Sequence, residues 1–264
     1  MSKKTDLQIR TLFTVPYDIL GHRWPQSATR NAELESYVQS IIEDVRRRGD
    51  AALVEFSKRF NGVELSPSDL RVNQDEILEA YESVPGEQLQ ALESMKSRLE
   101  RYQSKLMERL TFEADLDGVR IESRTVPLDS VGCYVPGGRA SYPSTLVMTV
   151  TPAKLAGVPR IVVCSPPGRD GRVNVLTLAA AKICGVSELY MVGGAQAIAA
   201  LAYGTKTIRP VEKIIGPGSA YVTTAKMLVS LDVSFDLPAG PSEVLVLADE
   251  SADPRAIALD MISQ

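Results

Sequence analysis

Glu188-Leu189-Tyr190-Met191-Val192 runs straight into Gly193-Gly194-Ala195-Gln196 and then into Ala197-Ile198-Ala199-Ala200-Leu201-Ala202. Residues 188–192 read as a short apolar strand, the glycine pair as a tight turn, and 195–202 as a helix. A strand that is apolar on consecutive positions is buried on both faces, which is the habit of parallel sheets sandwiched between helices. The same unit recurs along the second half of the chain. Strands are expected at 121–126, 131–135, 160–164, 213–215 and 243–248, and helices at 144–156, 174–184, 220–231 and 254–264. Such strands separated by helices of about ten residues form βαβ units, so the predicted fold class is α/β with a parallel sheet.

Upstream, the pattern is helical. Leu34, Val38, Ile41, Ile42 and Val45 lie at helical spacing over 32–48, and Leu53, Val54, Phe56 and Phe60 repeat it over 51–60, with Asp50 placed to cap. Asn73 is placed to cap a helix carrying Ile77, Leu78 and Tyr81, and 86–110 carries Leu89, Leu92, Met95, Leu99, Tyr102 and Leu106 on one stripe. This half reads as packing and scaffolding. Arg46-Arg47-Arg48 ends a helix, where cations complement the dipole.

Composition narrows the chemistry. The 264 residues carry 29 Lys and Arg against 33 Asp and Glu, a net charge of −4, so no global positive field recruits nucleic acid or an anionic membrane. Cys133, Cys164 and Cys184 are odd in number and sit in apolar surroundings, which reads as buried free thiols. Residues 1–10 are polar and no stretch approaches the roughly 18 apolar residues of a spanning helix. The expected compartment is the cytoplasm. The single histidine, His22, lies in a polar segment and reads as a surface residue, so a His-rich metal site or a two-histidine catalytic scheme needs residues that this chain does not carry.

Parallel sheets bind ligands beyond the carboxyl ends of their strands, which directs attention to the strand-to-helix turns. Three are glycine-rich: Tyr134-Val135-Pro136-Gly137-Gly138, Val192-Gly193-Gly194-Ala195-Gln196, and Ile215-Gly216-Pro217-Gly218-Ser219. Each offers close backbone approach and a helix N-terminus to a phosphate or cofactor. None is the full dinucleotide fingerprint, since Tyr221 stands where Gly216-x-Gly218 would need its third small residue. Gln196 and Ser219 sit at helix starts, placed either to bond a ligand or to cap their own helices; Tyr134 is placed either to stack on a planar ring or to pack in the core. A fourth turn, Asp236-Leu237-Pro238-Ala239-Gly240-Pro241-Ser242-Glu243, precedes the last expected strand.

The string Ser130-Val131-Gly132-Cys133-Tyr134-Val135-Pro136-Gly137-Gly138 resembles the corresponding stretch of the histidinol dehydrogenase family. So do Val163-Cys164-Ser165-Pro166-Pro167, 192–202, Ile215-Gly216-Pro217-Gly218 and Leu237-Pro238-Ala239-Gly240-Pro241-Ser242-Glu243-Val244, in the family's order and near its spacing. The helical part, including Arg48-Gly49-Asp50-Ala51-Ala52-Leu53, is similar as well, so the resemblance runs over essentially the whole chain.

The resemblance implies two Rossmann-like parallel-sheet domains with a helical N-terminal part: 1–133 holding that part and the start of a first α/β domain, 134–241 a second, and 242–264 the return to the first, which is then incomplete. It implies oxidation of L-histidinol through L-histidinal to L-histidine, with NAD and zinc as cofactors, in a homodimer. Residue by residue, Tyr134, Gln196 and Ser219 fall at NAD-contacting positions, Ser242 at a substrate-contacting position, and Gln264 at a position that binds both zinc and substrate. The family commonly carries Asn where this chain has the shorter Ser219. Its catalytic Glu-His pair and remaining zinc ligands lie beyond position 264, so no catalytic residue is assigned here and the 264-residue chain is expected to be an inactive fragment. Two other readings stand beside this one: a dehydrogenase of another small polar alcohol, such as sulfopropanediol, on the same scaffold, and a nucleotide-binding module without catalysis.

Overall fold

The structure, a computed structural model, describes residues 32–137, 141–238 and 244–262. Helix α1 (Ala32–Arg48) buries Val38, Ile41, Ile42 and Val45, the stripe that its sequence spacing sets. Helix α2 (Asp50–Asn61) follows, but Gly49 rather than Asp50 is its N-cap. Asp50 is the first helical residue; it is 8% exposed and accepts a 2.7 Å hydrogen bond from Thr207 Oγ1. The expected cap is therefore a tether between α2 and a distant loop, still beside the unpaired N–H groups of its own helix start.

A 3-10 turn (Pro67–Leu70) leads to α3 (Gln74–Ser83), where the Asn73 side chain caps by accepting from the Asp75 N–H at 3.2 Å. Helix α4 (Gly86–Leu110) has the expected extent, but only Leu92 on its apolar stripe is buried, while Tyr102 and Leu106 stay exposed.

The expected strand at 121–126 is corrected. Strands β1 (Phe112–Leu116) and β2 (Val119–Ser123) form an antiparallel hairpin, and β2 ends three residues early. Its turn is Asp117-Gly118, with φ of 51° and 83°, the paired positive angles of a two-residue hairpin whose twist matches its strands. The Asp-Gly signal was present in the sequence. Phe112, Leu116, Val119 and Ile121 share one exposed face, with Glu113, Asp115, Arg120 and Glu122 on the other.

The main sheet contains β3 (Ser130–Tyr134), β4 (Arg160–Cys164), β5 (Glu188–Tyr190), β6 (Lys213–Ile215) and β7 (Ser234–Phe235), in the order β5-β4-β3-β6-β7. Every pairing is parallel. The crossovers are α5 (Pro143–Leu155), α6 (Val175–Ile183), α7 (Gly194–Tyr203) and α8 (Ala220–Leu228). This is a Rossmann-like α/β arrangement, winding outward in both directions from a central first strand.

Period-two alternation distributes each strand between two cores. Val162, Cys164 and Ile214 join α1, α2, α7 and α8 on one face, whereas Val131, Cys133, Ile161 and Val163 join α3, α4, α5 and α6 on the other. The helical first half thus supplies outer layers on both faces. All three cysteines are buried and free, as their apolar surroundings predict.

The remaining differences have local causes. The strand expected at 188–192 stops at Tyr190 because the Met191 N–H leaves the ladder for the Leu70 carbonyl at 2.7 Å, while the Val72 N–H reaches Leu189 O at 2.9 Å. Residues around Arg71 therefore cover the edge of β5. The helix expected at 220–231 ends at Leu228, leaving Leu231 97% exposed. Residues 244–248 form no strand, since no other strand lies beside them among the described residues; Leu245 and Leu247 are almost fully exposed. Helix α9 (Pro254–Ile262) buries none of its side chains. Among the described residues, no helix is long and apolar enough to cross a membrane.

Candidate functional site

The chain leaves β3 toward β4 on one side and enters β6 on the other, so the connections diverge between β3 and β6 and open a crevice beyond their carboxyl ends. A cavity of about 440 Å³ lies there. The three glycine-rich turns all reach it, through Pro136 and Gly137, through Gly193 and Gly194, and through Ser219. Pro166, from the turn after β4, forms part of the same wall.

Tyr134, Gln196 and Ser219 are brought together in this cavity. Tyr134 ends β3 with its ring only 4% exposed, so it packs in the core and offers no free ring face for stacking. Its hydroxyl accepts the Gly194 N–H at 3.1 Å, and among the described residues no acceptor takes its proton. Burial holds this phenol above the usual tyrosine range, so it remains a neutral donor.

Gln196, in the first turn of α7, is 3% exposed, and its Oε1 has no hydrogen-bond partner among the described residues. A buried acceptor left without a donor costs roughly 1–3 kcal/mol, which a bound donor would recover. Ser219 is the N-cap of α8 by backbone position, yet its hydroxyl makes no capping bond and is exposed at the cavity. Among the described residues, neither helix start has a side-chain capping bond. Ser242 and Gln264 lie outside the described residues.

The outer wall comes from helices that the sequence presents as scaffolding. Tyr37 and Ile41 of α1 and Phe60 and Asn61 of α2 line the cavity opposite the glycine turns. Tyr37 meets Tyr221 edge to face at 6.1 Å, Phe60 stacks on Phe56 at 5.5 Å, and the Arg59 guanidinium lies over both Tyr37 and Phe60. The cavity therefore has aromatic side chains from α1 and α2 and the backbone of the glycine turns in its lining. No sequence signal marks Phe60 or Tyr37 for this role, because it depends on how α1 and α2 dock over α7 and α8.

A second cavity, of about 540 Å³, opens beyond Pro166 and Gly137, between α3 and α6. Among the described residues, Glu76, Glu79, Asp170 and Arg172 line it. Among the described residues no group of three His, Cys, Asp or Glu side chains is placed to hold a metal ion.

A profile of the histidinol dehydrogenase family matches residues 25–264. The chain is 48% identical over 230 residues to a histidinol dehydrogenase of Synechococcus sp., covering 87% of this chain and 53% of that protein. It is 50% identical over 227 residues to one of Methanothermobacter thermautotrophicus, covering 86% and 53% respectively. The crystal structure of histidinol dehydrogenase from Elizabethkingia anophelis superposes with a TM-score of 0.80 at 38% identity, covering 87% of this chain and 53% of that one. The chain spans about half the length of these relatives. With the parallel sheet, the convergent glycine turns and this degree of identity together, the chain belongs to the histidinol dehydrogenase family.

Proposed function

We propose that the crevice between β3 and β6 binds NAD, and that this chain forms the nucleotide-binding part of a histidinol dehydrogenase that oxidises L-histidinol through L-histidinal to L-histidine. The observation that carries the reading is the orphaned Gln196 Oε1, buried in a cavity where three helix-starting turns converge. The residues present fit a dinucleotide. Gln196 would accept a hydrogen bond from it, Tyr134 would donate its proton, Ser219 would do either, and the N–H groups at the start of α8 would hold the anionic pyrophosphate. When bound, NAD supplies the hydride acceptor; the chain's own residues bind it, orient it and screen one side from water.

Zinc is part of the same proposal for the whole enzyme, and the described residues do not compose a site for it. Gln264, the position matching a zinc and substrate ligand, and His22, the chain's only histidine, both lie outside them. With one histidine in 264 residues, the water-activating and proton-moving groups of the reaction are assigned elsewhere in the complete enzyme, and the chain alone is expected to bind NAD without turning over histidinol. The uncovered apolar face of the β1–β2 hairpin, with Leu245, Leu247 and α9, supports the reading in which residues 242–264 return to the first α/β domain. A cytoplasmic homodimer completes the reading.

Titration calorimetry of NAD into the chain, with histidinol present and absent, tests this. Saturable one-site binding of NAD with no NADH absorbance is expected; absence of NAD binding would remove the cofactor role from this crevice.

A further inference from the structure

One ion pair holds both backbone polar groups of Gly216. Asp236 Oδ2 accepts the Gly216 N–H at 2.7 Å, Lys226 Nζ donates to the Gly216 carbonyl, and Lys226 Nζ meets Asp236 Oδ1 at 2.6 Å. Lys226 is 4% exposed, and a buried ammonium persists only where charge and hydrogen bonds meet it.

The three contacts join successive pieces of one βαβ unit. Strand β6 ends at Ile215, and Gly216 turns out of the ladder with φ of +117°. A Cβ at this position would stand 2.1 Å from the Tyr134 carbonyl oxygen, so the turn presses directly on the end of β3. Lys226 lies in the last turn of α8 and extends back toward the helix N-terminus, the direction helical side chains take, to grip the turn from which its own helix begins. Asp236 follows β7 and holds the same residue from the neighbouring strand, where its own N–H reaches Ile214 O at 3.2 Å. Only Pro217 and Gly218 separate the clamped residue from Ser219 and the start of α8.

We propose that the Lys226–Asp236 pair is a positioning device for the ligand site. It holds the 216–219 turn in its binding shape before the ligand arrives, so that affinity for the dinucleotide depends on a pair that does not touch it. This rests on the reading of the crevice as an NAD site. Preorganisation of this kind lowers the ordering cost of binding.

The test uses the chain with K226M, which keeps the length and apolar stem of Lys226, and with K226M/D236L, which removes both charges together and so leaves no unpaired charge behind. Three quantities are read: NAD affinity by calorimetry, amide exchange over 213–224 by mass spectrometry, and melting temperature. Both variants are expected to bind NAD about tenfold more weakly or worse, with faster exchange confined to the turn, and the double variant to stay folded but melt a few degrees below the wild type, since the Gly216 N–H and carbonyl lose their partners. A merely structural pair would change melting and leave the affinity of the well-folded double variant intact. Wild-type affinity and unchanged exchange in that variant would overturn the proposal. Failure of the wild-type chain to bind NAD would instead overturn the cofactor reading, and with it the link to affinity, while the exchange data still decide whether the pair holds the turn.

Discussion

The backbone N–H of Gly194 donates to the Tyr134 hydroxyl at 3.1 Å, joining the first residue of α7 to the last residue of β3. Since β4 lies between β3 and β5, this bond spans the carboxyl end of the sheet from its centre toward its edge, and both residues line the cavity. Tyr134→Phe keeps the buried ring and removes the acceptor. A loss of about 1 kcal/mol in stability is expected, with weaker NAD binding as the Gly194 turn loosens; denaturant unfolding and calorimetry on the same sample measure both.

Gln196→Leu behaves oppositely in the two measurements. The acceptor it removes has no partner among the described residues, so the folded chain should lose nothing in stability and gain up to about 1 kcal/mol. NAD affinity should fall about tenfold, the scale of one hydrogen bond in a buried site. Loss of stability without loss of affinity would assign Gln196 to the core.

Alkaline pH should destabilise the fold through its buried acids. Desolvation pushes Cys133 from an ordinary value of 9.0 up to about 12, and burial also raises Cys164, Cys184 and Tyr134. Below pH 9 the folded and unfolded chains both keep these protons and the contribution is fully present. Between about 9 and about 12 the unfolded chain releases the Cys133 proton while the folded chain retains it, so stability falls as pH rises. Melting temperature followed from pH 8 to 11 should decline through this window. At pH 8 the native thiols should resist an aromatic disulfide reagent until denaturant is added.

The β1–β2 hairpin should behave as a sticky surface. Leu116 and Val119 flank its turn at 57% and 60% exposure, so Leu116→Glu with Val119→Lys removes no core packing. The double variant should leave the melting temperature within a degree or two of wild type, on the scale of ordinary surface substitutions, while reducing hydrophobic-dye binding and concentration-dependent scattering.

The parallel sheet was legible because its strands are short, apolar and separated by glycine turns, and the crevice followed from where those turns must lie. Tyr134, Gln196 and Ser219 were legible as candidates from their places beside the turns. Phe60 and Tyr37 were not, since they reach the cavity only through the docking of α1 and α2. Lys226 was also hidden: in sequence it is one lysine in the last turn of a helix, where a solvated cation is the ordinary expectation. The apolar run at 244–248 looks like a strand because its composition is that of one, but a strand needs a neighbour, and none is beside it among the described residues. The missed hairpin had its signal in Asp117-Gly118; the exposed face of β1 gave no alternation deep enough to set its start.

Diffraction from crystals of the chain soaked with NAD is the most direct test. Dinucleotide density is expected between β3 and β6, with polar atoms within hydrogen-bond distance of Gln196 Oε1 and the Tyr134 hydroxyl and a face toward Phe60 or Tyr221. Density in the acidic cavity beside Glu79 and Asn174, or bound NAD leaving Gln196 Oε1 without a partner, would contradict this reading of the crevice.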